Sequence, residues 1–335
     1  MSWPVTRGVL ELGDVEVERG GVIRGAQLAW QAHGTLNAAR DNVVVYPCSY
    51  TATSDDLSWL IGPDAVLDPT RWFIVIPDMF SGGRSSSAAD LPDFPAVVTA
   101  GDNVLAQHRL LTEHFGVTRV AAAYGFSMGG IQAYHWAARF PELVERAIVV
   151  CGSARTAVHN RVFLSGLLRT LEAAPEHLGG GRFAAEPLLA KKAFGHLYAG
   201  WGLSQDFYRA ELHRTALGMP DLETFLQVGW ADRFGALRAA NLYAQAVTWS
   251  EADIAATYDG DLPRALAAIT ARVLLMPGET DLYFRVADNA AELPHLAHAE
   301  LRPIPSVWGH RAGNPQGIAA DTAFVAAAVR EWLAS

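Results

Sequence analysis

Three residues, far apart in the chain, are of the types that together make a nucleophile work: Ser127, Asp281 and His310. Ser127 sits at the centre of Gly125-Phe126-Ser127-Met128-Gly129, a Gly-x-Ser-x-Gly pattern. A serine hydroxyl is a weak nucleophile near neutral pH. A base must take its proton, and a third group must hold that base in place. An imidazole serves as the base and a carboxylate as the holder, and attack on a carbonyl then creates an oxyanion that needs hydrogen-bond donors. The chemistry this implies is acyl transfer through a covalent serine intermediate. The chain has 11 histidines, so residue type alone selects nothing. His310 stands apart because it lies in the glycine-bearing loop Pro305-Ser306-Val307-Trp308-Gly309-His310-Arg311. His108, His114, His159 and His213 fall in helical stretches and read as surface or packing residues. His135 is two turns along the helix that leaves Ser127 and points away from it. Asp281 is preferred to its neighbour Glu279 because the turn from Gly278 carries it further past its strand end.

The elements around these residues give them positions. The apolar run Val120-Ala121-Ala122-Ala123 precedes the pattern, and Ile131 to Arg139 reads as a helix ending at Phe140-Pro141. Strand, sharp turn and helix follow one another, with Ser127 at the apex. Side chains at Gly125 and Gly129 would clash where strand and helix pass. The helix points its free N–H groups and positive end at the same spot. In a parallel sheet the partners must stand at carboxyl ends of later strands. Val273 to Met276 ends in the loop bearing Asp281, and Glu300 to Ile304 ends in the loop bearing His310. The oxyanion donors expected are the backbone N–H of Met128 and that of Tyr50, with Ser49 as the alternative. Tyr50 belongs to the polar loop after the buried run Asn42 to Tyr46.

Earlier, residues 8–33 alternate apolar and polar around Gly20-Gly21, as a hairpin does. Trp72 to Pro77 and Ala147 to Cys151 are further continuous apolar runs, expected of strands buried on both faces. Thr99 to Phe115 is helical in period and stops at Gly116. Strands and helices alternating at this rhythm predict an α/β fold with a mostly parallel central sheet. The rhythm breaks after Ser153. Residues 154–266 are helical in period, rich in Leu, Ala and aromatic residues, and carry no buried strand run. They read as a helical lid inserted after the sixth strand, between core segments 1–153 and 267–335. Trp201, Trp230, Tyr243 and Trp249 are read first as lid packing.

Composition excludes several classes. A formal net charge of -9 argues against a nucleic-acid partner. No run is long enough to span a membrane, and Met1 to Arg7 has no secretory leader pattern, so a cytoplasmic location is the expectation. Cys48 and Cys151 have no metal spacing and read as small apolar packing residues. Gly82-Gly83 lacks the Lys-Ser/Thr of a phosphate loop. Asp55, Asp56 and Asp68 read as surface or cap residues. No metal and no cofactor is expected.

Nearly the whole chain resembles the homoserine O-acetyltransferase branch of the α/β-hydrolases. The resemblance runs through Gly125-Phe126-Ser127-Met128-Gly129-Gly130-Ile131-Gln132, Ser153-Ala154-Arg155, Ala231-Asp232-Arg233-Phe234, Ala239-Ala240-Asn241-Leu242-Tyr243, Asp281-Leu282-Tyr283-Phe284 and Trp308-Gly309-His310. It implies an α/β-hydrolase fold and a catalytic triad on Ser127, Asp281 and His310. It also implies a lid that often mediates dimerisation, so a homodimer through the lid is an expectation. One departure bears on function. The acetyltransferases carry an Asp after the catalytic His to hold the amine of homoserine, and here Arg311 stands in its place. A cation repels an ammonium group and accepts no hydrogen bond from it. The segment Trp59-Leu60-Ile61-Gly62-Pro63-Asp64 is also closer to the branch's ester hydrolases, which makes Trp59 and Arg311 substrate-contact candidates. The expectation is a serine hydrolase of short-chain esters, acetate above all. The alternatives are an acyl-CoA-dependent O-acyltransferase and a non-catalytic binding module.

Overall fold

The computed structural model describes residues 2–335. Its centre is an eight-stranded sheet. In chain order the strands of the molecule are β1 (Val5–Glu16), β2 (Val22–His33), β3 (Val43–Val45), β4 (Phe73–Pro77), β5 (Val120–Phe126), β6 (Arg146–Val150), β7 (His177–Gly179), β8 (Arg182–Phe183), β9 (Arg272–Met276) and β10 (Ala299–Leu301). The large sheet has the order β1-β2-β4-β3-β5-β6-β9-β10. β1 pairs antiparallel with β2, and β2 with β4. All pairings from β4 to β10 are parallel.

The continuous apolar runs have the cause expected of them. Every residue of β3, β4 and β5 is buried, because the sheet is covered on both faces. Alternate residues feed two cores. Val44, Ile74, Tyr124, Ile148 and Leu274 face one. Val43, Val75, Ala123, Val149 and Val273 face the other, against the helices Ala100–Arg109 and Met128–Arg139.

Between β6 and β9 the chain is mainly helical, with Val158–Glu172, Leu188–Gly202 and Ala239–Ser250 the longest helices. Phe163, Phe194, Leu242 and Trp249 from this segment share the first core with the sheet. The segment also contains the short β7–β8 hairpin, too exposed and too short to leave an apolar run in the sequence. The last strand differs from the span 300–304 read from sequence, because its regular part ends at Leu301. Pro303 has no N–H to give, yet Arg302 still donates to Leu275 on β9 and Ile304 to Pro277 just past its end. The ladder therefore reaches the loop that carries His310. No helix among the described residues is long and apolar enough to cross a membrane.

Candidate active site

Ser127 stands at the end of β5 with φ 58° and ψ −125°, a conformation that non-glycine residues rarely adopt. What holds it there is close packing of glycine backbone. A Cβ on Gly125 would lie 2.0 Å from the carbonyl oxygen of Gly129, and one on Gly129 would lie 2.5 Å from that of Pro47. The Ser127 N–H donates to Val150 O of β6 at 2.9 Å. Strand, turn and helix are thus locked, and the strain keeps the hydroxyl clear of the backbone.

The fold brings the three sequence candidates together. His310 Nε2 lies 2.9 Å from Ser127 Oγ, and His310 Nδ1 lies 2.7 Å from Asp281 Oδ2. All three residues are buried. The other carboxylate oxygen of Asp281 accepts from the Tyr283 N–H at 2.8 Å and the Phe284 N–H at 3.3 Å. The carboxylate is therefore fixed before it meets the imidazole. Phe126, Tyr283 and Phe284 surround the His310 ring, at centroid distances of 4.6, 4.9 and 5.5 Å. Glu279, the rival acid, is exposed. Thr280 ties the two loops together, donating to Ser306 O at 2.8 Å and accepting from the Gly309 N–H at 3.1 Å.

The loop after β3 runs beside the start of the serine's helix. Ser49 Oγ donates to Phe126 O at 2.6 Å, and Gln132 Nε2 donates to Cys48 O at 3.0 Å and Met128 O at 3.1 Å. Gln107 holds Gln132 at 2.6 Å and is itself held by Trp136 Nε1 at 2.9 Å. The N–H groups of Tyr50 and Met128 are engaged by no acceptor among the described residues. Ser49, Tyr50, Ser127 and His310 line one cavity of about 810 Å³.

Trp59 and Arg311, the two substrate-contact candidates, line the same cavity, and so does Arg233 from the helical segment. Arg311 Nη2 donates to Gln316 O at 3.1 Å, and its guanidinium lies 5.2 Å from the Trp308 ring centroid. Burial, with the charge of Arg233, lowers the Arg311 pKa from its ordinary value. Asp55 and Asp56, read from sequence as surface or cap residues, line the cavity as well. Asp56 does cap, accepting from the Thr53 N–H at 2.8 Å, while Asp55 is ion-paired to Arg7 and Arg84.

Cys151, Asp281 and His310 form the single cluster of three potential metal donors among the described residues. Two of the three already satisfy each other. Burial, and then the charge of Asp281, pushes the Cys151 thiol well up, so it stays protonated and is a poor ligand. His135 is buried with neither ring nitrogen hydrogen-bonded, and burial with nearby Arg139 brings its pKa down to about 3. It packs as a neutral residue, away from the cavity lining.

Residues 54–309 match the family model described as alpha/beta hydrolase fold. A probable esterase of Corynebacterium glutamicum is 35% identical over 311 residues, covering 89% of this chain and 88% of the relative. An ethyl acetate hydrolase of Pseudomonas veronii is 33% identical over 310 residues, covering 90% and 88%. The crystal structure of an acetylester hydrolase from Corynebacterium glutamicum superposes with a TM-score of 0.93 at 32% identity, over 98% of this chain and 96% of that one. Homoserine O-succinyl- and O-acetyltransferases match at 32% and 28% identity.

Proposed function

This chain belongs to the alpha/beta hydrolase family and is a carboxylic ester hydrolase, and we propose that it cleaves short-chain esters, acetates above all, through an acyl-enzyme on Ser127. The observation that carries the reading is the unbroken line of hydrogen bonds from Asp281 through His310 to Ser127. Ser127 Oγ attacks the ester carbonyl while His310 Nε2 takes its proton. Asp281 keeps the remaining ring proton on Nδ1 and stabilises the imidazolium. The oxyanion is received by the N–H groups of Met128 and Tyr50, each worth on the order of 3 kcal/mol in the barrier. His310 then protonates the departing alcohol. In the second half a water loses its proton to His310 and attacks the acyl group, and the carboxylic acid leaves with Ser127 restored.

Water is favoured over homoserine as acceptor by the charges of the cavity. Arg311 and Arg233 oppose an ammonium group; of the two carboxylates on the wall, Asp55 is already neutralised by Arg7 and Arg84, and one oxygen of Asp56 is taken up by the Thr53 N–H and hydroxyl. The acetyl preference is supported by the activities named for the relatives. Ser127→Ala should abolish hydrolysis of p-nitrophenyl acetate with the fold intact, and unchanged turnover would sink the mechanism. In the wild type, homoserine should not speed release of coenzyme A from acetyl-CoA, and acceleration would favour the transferase reading instead.

A further inference from the structure

The loop that carries Tyr50 is held on one side by the end of β5, through Ser49, and by the serine's own helix, through Gln132. On its other side it is held by a residue nearly two hundred positions later. Thr51 N–H donates to Gln245 Oε1 at 2.8 Å, and Gln245 Nε2 donates to Ser81 O. Both partners are backbone groups with fixed roles, so the orientation of this amide is unambiguous. Gln245 is buried in the middle of the helix Ala239–Ser250. One turn earlier in that helix, Leu242 O accepts from the Tyr50 hydroxyl at 2.8 Å.

The two backbone positions that Gln245 bridges share a property. Thr51 has φ 60° and Ser81 has φ 62°, and neither is glycine. A left-handed conformation without glycine costs energy and persists only where surrounding contacts over-determine it. Thr51 follows Tyr50 directly, so a relaxation at Thr51 re-aims the Tyr50 N–H. We propose that Gln245 is a positioning residue for the oxyanion-binding loop: it ties the strained turns at Thr51 and Ser81 together, so that the helix Ala239–Ser250 sets the direction of the Tyr50 N–H. The segment between β6 and β9 then does more than cover the cavity, because it completes the geometry of the reaction. The inference rests on the reading of Ser127 as an acylated nucleophile.

The test uses the full chain with Gln245→Leu, which keeps approximate size and loses both hydrogen bonds, and Gln245→Glu, which keeps an acceptor for Thr51 N–H. Phenylboronic acid is the probe. It adds Ser127 Oγ to boron as the hydroxyl proton passes to His310, giving a tetrahedral anion that uses the same donors as the oxyanion. Rates are expressed per site titrated by a fluorophosphonate, so loss of folded protein does not count. Removing an oxyanion donor costs on the order of 10²–10³ in kcat, and misdirecting one should cost about 10- to 100-fold. For Gln245→Leu that fall is expected in kcat, with an equal weakening of phenylboronic acid. KM for p-nitrophenyl acetate should stay within about threefold, because acylation and deacylation use the same donors and slow together. For Gln245→Glu the two losses should be smaller and again equal. Wild-type kcat and boronate affinity in Gln245→Leu would overturn the proposal. So would a fall in kcat with boronate affinity unchanged, in either variant, and the Glu variant decides alone if the Leu variant does not fold. A wild-type protein that neither hydrolyses esters nor labels at Ser127 would instead remove the underlying reading.

Discussion

Asp281→Asn isolates what the carboxylate contributes, because the structure fixes how the new amide must sit. One oxygen of Asp281 accepts from two backbone N–H groups, of Tyr283 and Phe284, and the other faces His310 Nδ1. In the variant, turning the amide NH₂ toward those backbone donors would leave two buried N–H groups facing hydrogens. Each buried donor left unpaired costs about 1–3 kcal/mol, so the carbonyl oxygen stays on the backbone side. The NH₂ then faces Nδ1 and donates to it, which places the ring proton on Nε2. That nitrogen must carry a lone pair to accept the Ser127 proton, and it now holds a hydrogen instead. A reversed tautomer of this kind costs on the order of 10⁴ in kcat, equivalent to about 5.5 kcal/mol in the barrier. The assay is steady-state hydrolysis of p-nitrophenyl acetate near pH 7.5, with the fluorophosphonate labelling rate of Ser127 as a second reading. Both should fall together. Glu279→Gln is the matched control, since Glu279 is exposed, and it should stay within about twofold of wild type. An Asp281→Asn enzyme retaining more than a tenth of wild-type kcat would refute the reasoning, as would a comparable loss in Glu279→Gln.

Gly125→Ala would place a methyl group 2.0 Å from the backbone oxygen of Gly129, where no side chain can give way. Strand and helix must separate, at a cost of about 3 kcal/mol or more. A chemical-denaturation midpoint equal to wild type would contradict the packing described for the turn. His135 gives a pH signature. Its folded pKa of about 3 lies below the unfolded value of 6.5. Above the unfolded pKa neither state is charged and the residue contributes no slope. As pH falls below it the unfolded state binds a proton that the folded state refuses, and stability is lost down to the folded pKa. By pH 5 the loss is about 2 kcal/mol. His135→Leu should flatten that part of the stability–pH curve, and an unchanged slope between pH 7 and 5 would show that the imidazole is not buried neutral.

The groups proposed to react were legible in the sequence because their chemistry is rare and their places are dictated by topology. Ser127, Asp281 and His310 each follow an apolar run that reads as a strand, and a parallel sheet brings successive strand ends to one edge. The groups that aim them were not legible. Gln132, Gln245 and Thr280 are ordinary amides and a hydroxyl with no characteristic spacing, and their partners are mostly backbone atoms brought near only by folding. Gln245 and Thr51 are 194 positions apart, and Ser204, which donates to Val307 O beside His310, is separated from it by 103. Asp55 illustrates the same limit from the opposite side. Its place after a polar turn predicts a surface residue, and only the fold puts it on the cavity wall and supplies the two arginines that neutralise it. The helical segment between β6 and β9 therefore cannot be exchanged freely between relatives, even where its aromatic packing would tolerate exchange. It supplies Gln245 to the loop that carries Tyr50 and Ser204 to the loop that carries His310. A graft that kept its apolar pattern but lost those two polar contacts would fold over the same cavity with both loops of the site less firmly aimed.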